Sequence, residues 1–184
     1  LFAVDAGSNE ISVLAIRGDD LVRVDRVSSG GFRPISLTLH DRLLYVLHCG
    51  GPPPNTAGPA TTIAGFTVGQ DGKLTPLAGS KRALPGGPGA GPSQIQFSPD
   101  GTQLVVTERQ TNQLDLFPVD SSGRAGAPVI NASHGPAPFT ATFLTPDILL
   151  VTELLGVGFI YGAATTYRVA SNGTLTVISG SVNT

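Results

Sequence analysis

A chain of 184 residues with 24 Gly, 15 Pro, 13% charged residues and a formal charge of −2 can bury a sizeable core and has turn formers throughout. Its few Lys and Arg are scattered, which excludes the basic stripe of a nucleic-acid binder. No apolar run approaches the roughly 20 residues that a membrane-spanning helix needs, and the single cysteine, Cys49, permits no internal disulfide.

From its first residue the chain reads as strands. Residues 1–4 and 11–16 form a hairpin, and 21–27 (LVRVDRV) alternate apolar and polar as a third strand. After a loop at 28–33, runs at 35–40 and 43–48 flank a tight Asp41-Arg42 turn. Residues 50–60 are a Gly/Pro-rich surface loop, 63–68 resume the strands, and Gln70-Asp71-Gly72 turns into 74–78. The segment 84–92 contains PGGPGAGP; it lacks the Gly-Lys-Ser/Thr ending of a phosphate loop and reads as a flexible connection. Residues 93–97, the turn Ser98-Pro99-Asp100-Gly101 and the hairpin 104–119 (LVVTERQTNQLDLFPV) follow. A weak strand at Val129-Ile130 precedes strands at 138–144 and 148–152. Residues 155–164 read as a Gly-rich insertion, and 165–169 and 175–179 close the chain around Asn172-Gly173. No helix longer than a turn is expected.

The hairpin repeats. Residues 1–16 align without gaps on 104–119, and 66–80 on 167–181, with Asp71-Gly72 falling on Asn172-Gly173. The strand starts Leu1, Leu43, Leu104 and Leu149 are 42, 61 and 45 residues apart. Four-stranded units of roughly 40 to 50 residues are the signature of an all-β propeller, because one blade has two apolar faces that only its neighbours cover. The units run approximately 1–33, 34–91, 92–136 and 137–184. The first lacks an inner strand, so the chain is expected to be part of a larger propeller, completed by further sequence or a second chain.

The run SQIQFSPDGTQLVVTERQTNQLDLFPVDSSGR, with Ser98-Pro99-Asp100-Gly101 and Asp120 to Gly123, resembles the lactonase-type seven-bladed propellers. These include bacterial 6-phosphogluconolactonases and fungal carboxymuconate lactonizing enzymes, also labelled 3-carboxymuconate cyclases. The resemblance covers essentially the whole chain as roughly the first four of seven blades. It implies a site at the mouth of the central channel, with a histidine from an inner strand, an arginine in Gly-Pro-Arg-His and a glutamate in Asn-Glu-Leu. This sequence has Pro92-Ser93-Gln94 at the histidine position and Gly135-Pro136-Ala137-Pro138 at the arginine motif; the glutamate is kept as Glu153, before Leu154.

Lactone chemistry needs a proton carrier and a cation for the carboxylate or developing oxyanion. Glu153 is the candidate acid/base, with His134, in the loop before Gly135, as a substitute proton carrier. Glu108, Arg109 and Gln94 are candidate ligand contacts at the channel rim. Glu108 and Glu153 share one repeat position, and the bland reading makes them caps on neighbouring backbone N–H groups, with Arg109 as a salt-bridge partner. His40 and His48 read as turn or rim residues and Cys49 as a buried thiol. No histidine spacing suits a metal, and no cofactor is expected. Asn131-Ala132-Ser133 and Asn172-Gly173-Thr174 are sequons, candidate glycosylation sites that would go with a secreted protein.

Two readings of function result. The first is a lactonase-like propeller that has lost the family's histidine and arginine and serves as a binding or scaffold protein. The second is a lactonase or cycloisomerase acting on a small carboxylated or sugar lactone through Glu153.

Overall fold

Sixteen strands, arranged as four antiparallel sheets, account for most of the computed structural model, which describes residues 1–51, 58–155 and 161–183. β1 (Phe2–Asp5), β2 (Glu10–Arg17) and β3 (Asp20–Ser28) make the first sheet, in that order. The second runs β4 (Pro34–His40), β5 (Leu43–His48), β6 (Thr62–Val68); β7 (Leu74–Pro76) and β8 (Arg82–Ala83) both pair with β6. The third comprises β9 (Pro92–Phe97), β10 (Gln103–Glu108), β11 (Gln113–Pro118) and β12 (Val129–Ala132). The fourth comprises β13 (Pro138–Thr145), β14 (Ile148–Leu155), β15 (Tyr161–Val169) and β16 (Leu175–Asn183). No described helix is long and apolar enough to cross a membrane.

Three apolar cores lie between consecutive sheets. Ile11 and Val13 of the first sheet meet Leu44, Val46, Phe66 and Leu74 of the second. Tyr45, Leu47 and Ile63 on the other face of the second meet Leu104, Val106 and Phe117 of the third. Val105, Leu114 and Leu116 on the far face of the third meet Leu149, Val151 and Tyr167 of the fourth. This explains why β5 and β10 read as unbroken apolar runs: each is covered on both sides, so successive residues feed different cores. Each fully buried Val, Leu or Phe contributes roughly 1.5–3 kcal/mol. Tyr45 adds a polar link, donating to Gly123 O and accepting from Ala125 N, both at 2.8 Å.

The innermost strands of neighbouring sheets lie side by side. Ile95 N donates to Ser36 Oγ (3.3 Å) and Phe97 N to Thr38 Oγ1 (3.2 Å), joining β9 to β4. Ala141 N donates to Gln94 Oε1 (2.8 Å), joining β13 to β9. Polar side chains on these strands thus satisfy backbone groups that their own sheets leave open.

Several expectations need correction. The segment 84–92 is packed, not a flexible connection: Leu84 and Ala90 are buried, Gly87–Gly89 is a 3-10 turn, and Leu84 N donates to Thr61 O. Residues 155–164 are not simply an insertion, because β14 reaches Leu155 and β15 begins at Tyr161, pairing Leu155 with Tyr161; residues 156–160 lie outside the described residues. β16 extends to Asn183, bulging where Ser181 takes φ 44°. The expected loop at 50–60 falls largely on residues 52–57, also outside the described residues.

Candidate functional site

The repeat places one polar side chain near the end of the second strand of each unit: Asp5, His48, Glu108 and Glu153. The last three sit on the strand face turned toward the preceding sheet. Each packs against a glycine of the incoming connection. A Cβ on Gly31 would strike the His48 ring, one on Gly86 the Glu108 carboxylate, and one on Gly135 the Glu153 carboxylate. Any larger residue there would force these buried side chains to move.

Glu153 is 1% exposed. Its Oε1 accepts from Gly135 N (3.2 Å) and Thr165 Oγ1 (2.5 Å), and its Oε2 from Ser181 Oγ (2.8 Å). Among the described residues no cation pairs with it. Glu108, fully buried, accepts from Gly86 N (3.2 Å) and Thr111 Oγ1 (2.5 Å). Both glutamates hold the strand that leads into their own sheet. His48 is not a rim residue: it is fully buried, its ring bonds Thr62 O, Thr62 Oγ1 and Ser29 O, and burial pulls its pKa down to about 4.

A second polar position sits diagonally opposite, on the third strand. Ser12, Asp115 and Thr165 occupy it, each opposite the residue two before Asp5, Glu108 or Glu153. Ser12 Oγ donates to Asp5 (2.7 Å) as Thr165 does to Glu153. In the third sheet this position is a second acid. Asp115 is fully buried, neither of its oxygens has a hydrogen-bond partner among the described residues, and burial followed by the neighbouring Glu108 charge pushes it up to about 8.

The remaining candidates lie apart. Gln94 gives its oxygen to Ala141 N and its amide nitrogen to Gln96 (3.3 Å), so it ties inner strands together. His134 is exposed at its loop, its ring against Gly180 and its backbone N–H on the Tyr167 hydroxyl (2.8 Å). Arg109 pairs with no acid among the described residues. Its N and Nε reach Gly91 O at 3.2 and 3.4 Å, and its guanidinium stands 5.7 Å above the Phe139 ring. The two sequons differ. Asn131 Nδ2 donates to Gly173 O (3.0 Å) and Val129 O (3.2 Å) and its Oδ1 accepts from Leu175 N (2.9 Å), whereas Asn172 lies exposed in a turn.

Sequence reasoning missed Arg33. It precedes β4 in Gly31-Phe32-Arg33-Pro34, the same pattern as Gly135-Pro136-Ala137-Pro138, and that match was the available signal. Arg33 and Ala137 share a left-handed backbone, φ 54° and 48°, and each N–H donates at 2.7 Å to the turn asparagine of the preceding sheet, Asn9 or Asn112. Arg33 and Arg109 line one cavity of about 180 Å³, with Cys49, Gly51, Pro88 and the Gly91-Pro92 start of β9. Two arginines at one cavity, with no carboxylate among the described residues that line it, suit a small anion.

The same fold occurs in solved proteins. A putative 6-phosphogluconolactonase from Bacteroides fragilis matches over 99% of this chain and 51% of its own, with TM-score 0.73 and 20% identity. A functionally unknown protein from Desulfotomaculum acetoxidans matches over 99% and 56%, with TM-score 0.68 and 14% identity. The periplasmic gluconolactonase of Pseudomonas aeruginosa matches over 96% and 65%, with TM-score 0.55 and 14% identity. The likeness is one of fold. No family model matches the chain, and no curated protein matches it. The chain spans about half the length of the first two structures.

Proposed function

We propose that the chain belongs to a lactonase-like β-propeller, forming about four of its blades, that binds a small anionic ligand at the channel mouth rather than turning over a lactone. The observation that carries this reading is the cavity between the second and third sheets, lined by Arg33 and Arg109. The inner strands, linked side by side, supply the wall of a channel, and the cavity opens where β4 and β9 begin. A carboxylate or phosphate suits a cavity lined by two arginines.

The enzyme reading lacks support at its central residue. A general acid or base must reach the substrate proton, and the Glu153 carboxylate is enclosed by Gly135, Thr165 and Ser181. The positions that resemble the catalytic histidine and arginine are Ser93 or Gln94 and Ala137. The remaining blades, from further sequence or a second chain, would cover the outer faces of the first and fourth sheets, where Ile16, Leu21, Ile178 and Val182 are exposed.

Calorimetric titration with gluconate and 6-phosphogluconate tests the proposal, alongside a δ-gluconolactone hydrolysis assay. The expected result is binding of at least one acid, weakened about tenfold (about 1.4 kcal/mol) by Arg33→Ala and by Arg109→Ala, with no turnover. Binding indifferent to both substitutions would sink the arginine site. Hydrolysis abolished by Glu153→Gln would restore the enzyme.

A further inference from the structure

We propose that Glu108 and Asp115 share one proton and act as a proton-dependent latch that holds residues 84–92 against the third sheet. The two side chains sit on adjacent strands and on the same sheet face, where Val106 pairs with Asp115 and Glu108 with Gln113. Both are fully buried. Among the described residues neither has an ion pair, and both Asp115 oxygens and Gln113 Oε1 lack hydrogen-bond partners. Two ionised carboxylates with no cation beside them cannot occupy such a place together without a large desolvation and repulsion cost, so a proton between them is the simplest neutralising agent.

Among the described residues the surrounding elements offer no substitute cation. The Arg82 guanidinium on β8 is turned to Gly79 O and Lys81 O. Arg109 is turned to Gly91 O and Phe139. His48 faces the first sheet and the Tyr45 hydroxyl lies at the far end of the third, on Gly123 and Ala125. Burial first, and then the neighbouring Glu108, push the Asp115 carboxyl up to about 8; among the described residues no other charge acts on it.

Glu108 is the hinge pin of the incoming segment. Its Oε1 takes Gly86 N; just beyond, Arg109 N and Gln110 N donate to Gly91 O and Ala90 O at 3.2 and 3.1 Å. When the shared proton leaves to solvent, the second buried charge favours swinging Glu108 out to water, and the Gly86 tether goes with it. Pro88, Gly91 and Pro92 of this segment line the arginine cavity, so the latch sets that cavity's wall. The latch stands whether or not the cavity takes an anion.

Amide hydrogen exchange followed by NMR on the intact protein tests this, with rates corrected for their intrinsic pH dependence. Protection at Gly86, Arg109 and Gln110 should fall at least tenfold more than protection at Val105 and Leu116 between pH 6.5 and 9.5. In Asp115→Asn, the neutral isostere, the three amides should change less than twofold relative to Val105 and Leu116 over that range. Glu108→Gln removes one charge in the same way and serves if Asp115→Asn does not fold. Flat protection in the unaltered protein, an equal fall in the neutral variants, or a uniform fall across the sheet would each overturn the latch. So would protection that a chelator abolishes at pH 6.5, since a metal ion would then be the neutralising group.

Discussion

Removing the Glu153 side chain leaves three donors behind: Gly135 N, the Thr165 hydroxyl and the Ser181 hydroxyl. Glu153→Ala is expected to destabilise the protein by about 3 kcal/mol or more, read as a lowered urea midpoint. Gly135→Ala should cost about 1–3 kcal/mol, because its methyl group collides with the same carboxylate. A carboxylate held only for catalysis would give neither loss. Two buried groups set opposed pH dependences. Asp115, raised to about 8, contributes stability that is complete below its unfolded pKa near 4 and is lost as pH rises through about 8. His48, lowered to about 4, contributes stability present above its unfolded value near 6.5 and lost as pH falls toward 4. The two oppose each other between about 4 and 6.5, so a net fall of the unfolding midpoint is expected from pH 6.5 to 8, and Asp115→Asn should abolish it. The repeat position shared by Glu108 and Glu153 was legible in the sequence. So was the reading of both as caps on backbone N–H groups; which N–H groups they cap was not, because Gly86 and Gly135 lie about 20 residues upstream and meet them only when sheets stack. Asn131 shows the same limit: a sequon is a local pattern, and the engagement of its amide by Gly173 O depends on the next sheet.

At the scale of elements, alternation located most strands because a half-buried strand imposes period two on its own residues. It failed where partners decide. Residues 161–164 (YGAA) have weak strand propensity, yet β14 supplies a complete register for them. Residues 84–92 carry no periodicity, and their order comes from Glu108, Thr61 and the Arg109-Gln110 backbone. Corners depend on a residue type with two abilities. Asn112 tolerates φ 56° and gives its Oδ1 to Ala137 N in the next sheet, as Asn9 does to Arg33 N. Asn112→Gly keeps the backbone conformation and loses the bond, so a cost of about 1 kcal/mol is expected. Asn112→Ala loses both, and should cost about 1 kcal/mol more, read by thermal or denaturant midpoint. Equal losses would mean that the backbone conformation contributes nothing.

On the scale of the whole molecule, the first sheet has three strands where the third and fourth have four, and among the described residues no strand pairs with the free edge of β1. Apolar side chains remain exposed on both terminal sheets, among them Leu21 at 59% and Val182 at 55%. Patches of this kind mark surfaces that another element covers. A native mass above that of one 184-residue chain is therefore expected for the working protein; a well-behaved particle of that single mass would count against further blades. The repeat that announces stacked units was readable from Leu1, Leu43, Leu104 and Leu149. The number of sheets needed to close a ring is not carried by any one of them.

The glycine clasps also impose an order in time. Gly31, Gly86 and Gly135 precede His48, Glu108 and Glu153 by 17, 22 and 18 residues. On a ribosome adding about 5–20 residues per second, each connection would wait on the order of seconds before the side chain that fastens it emerges. Each new unit, as it emerges, fastens the connection behind it, so the nascent chain is secured from its beginning forward and its most recent sheet is always the loosest.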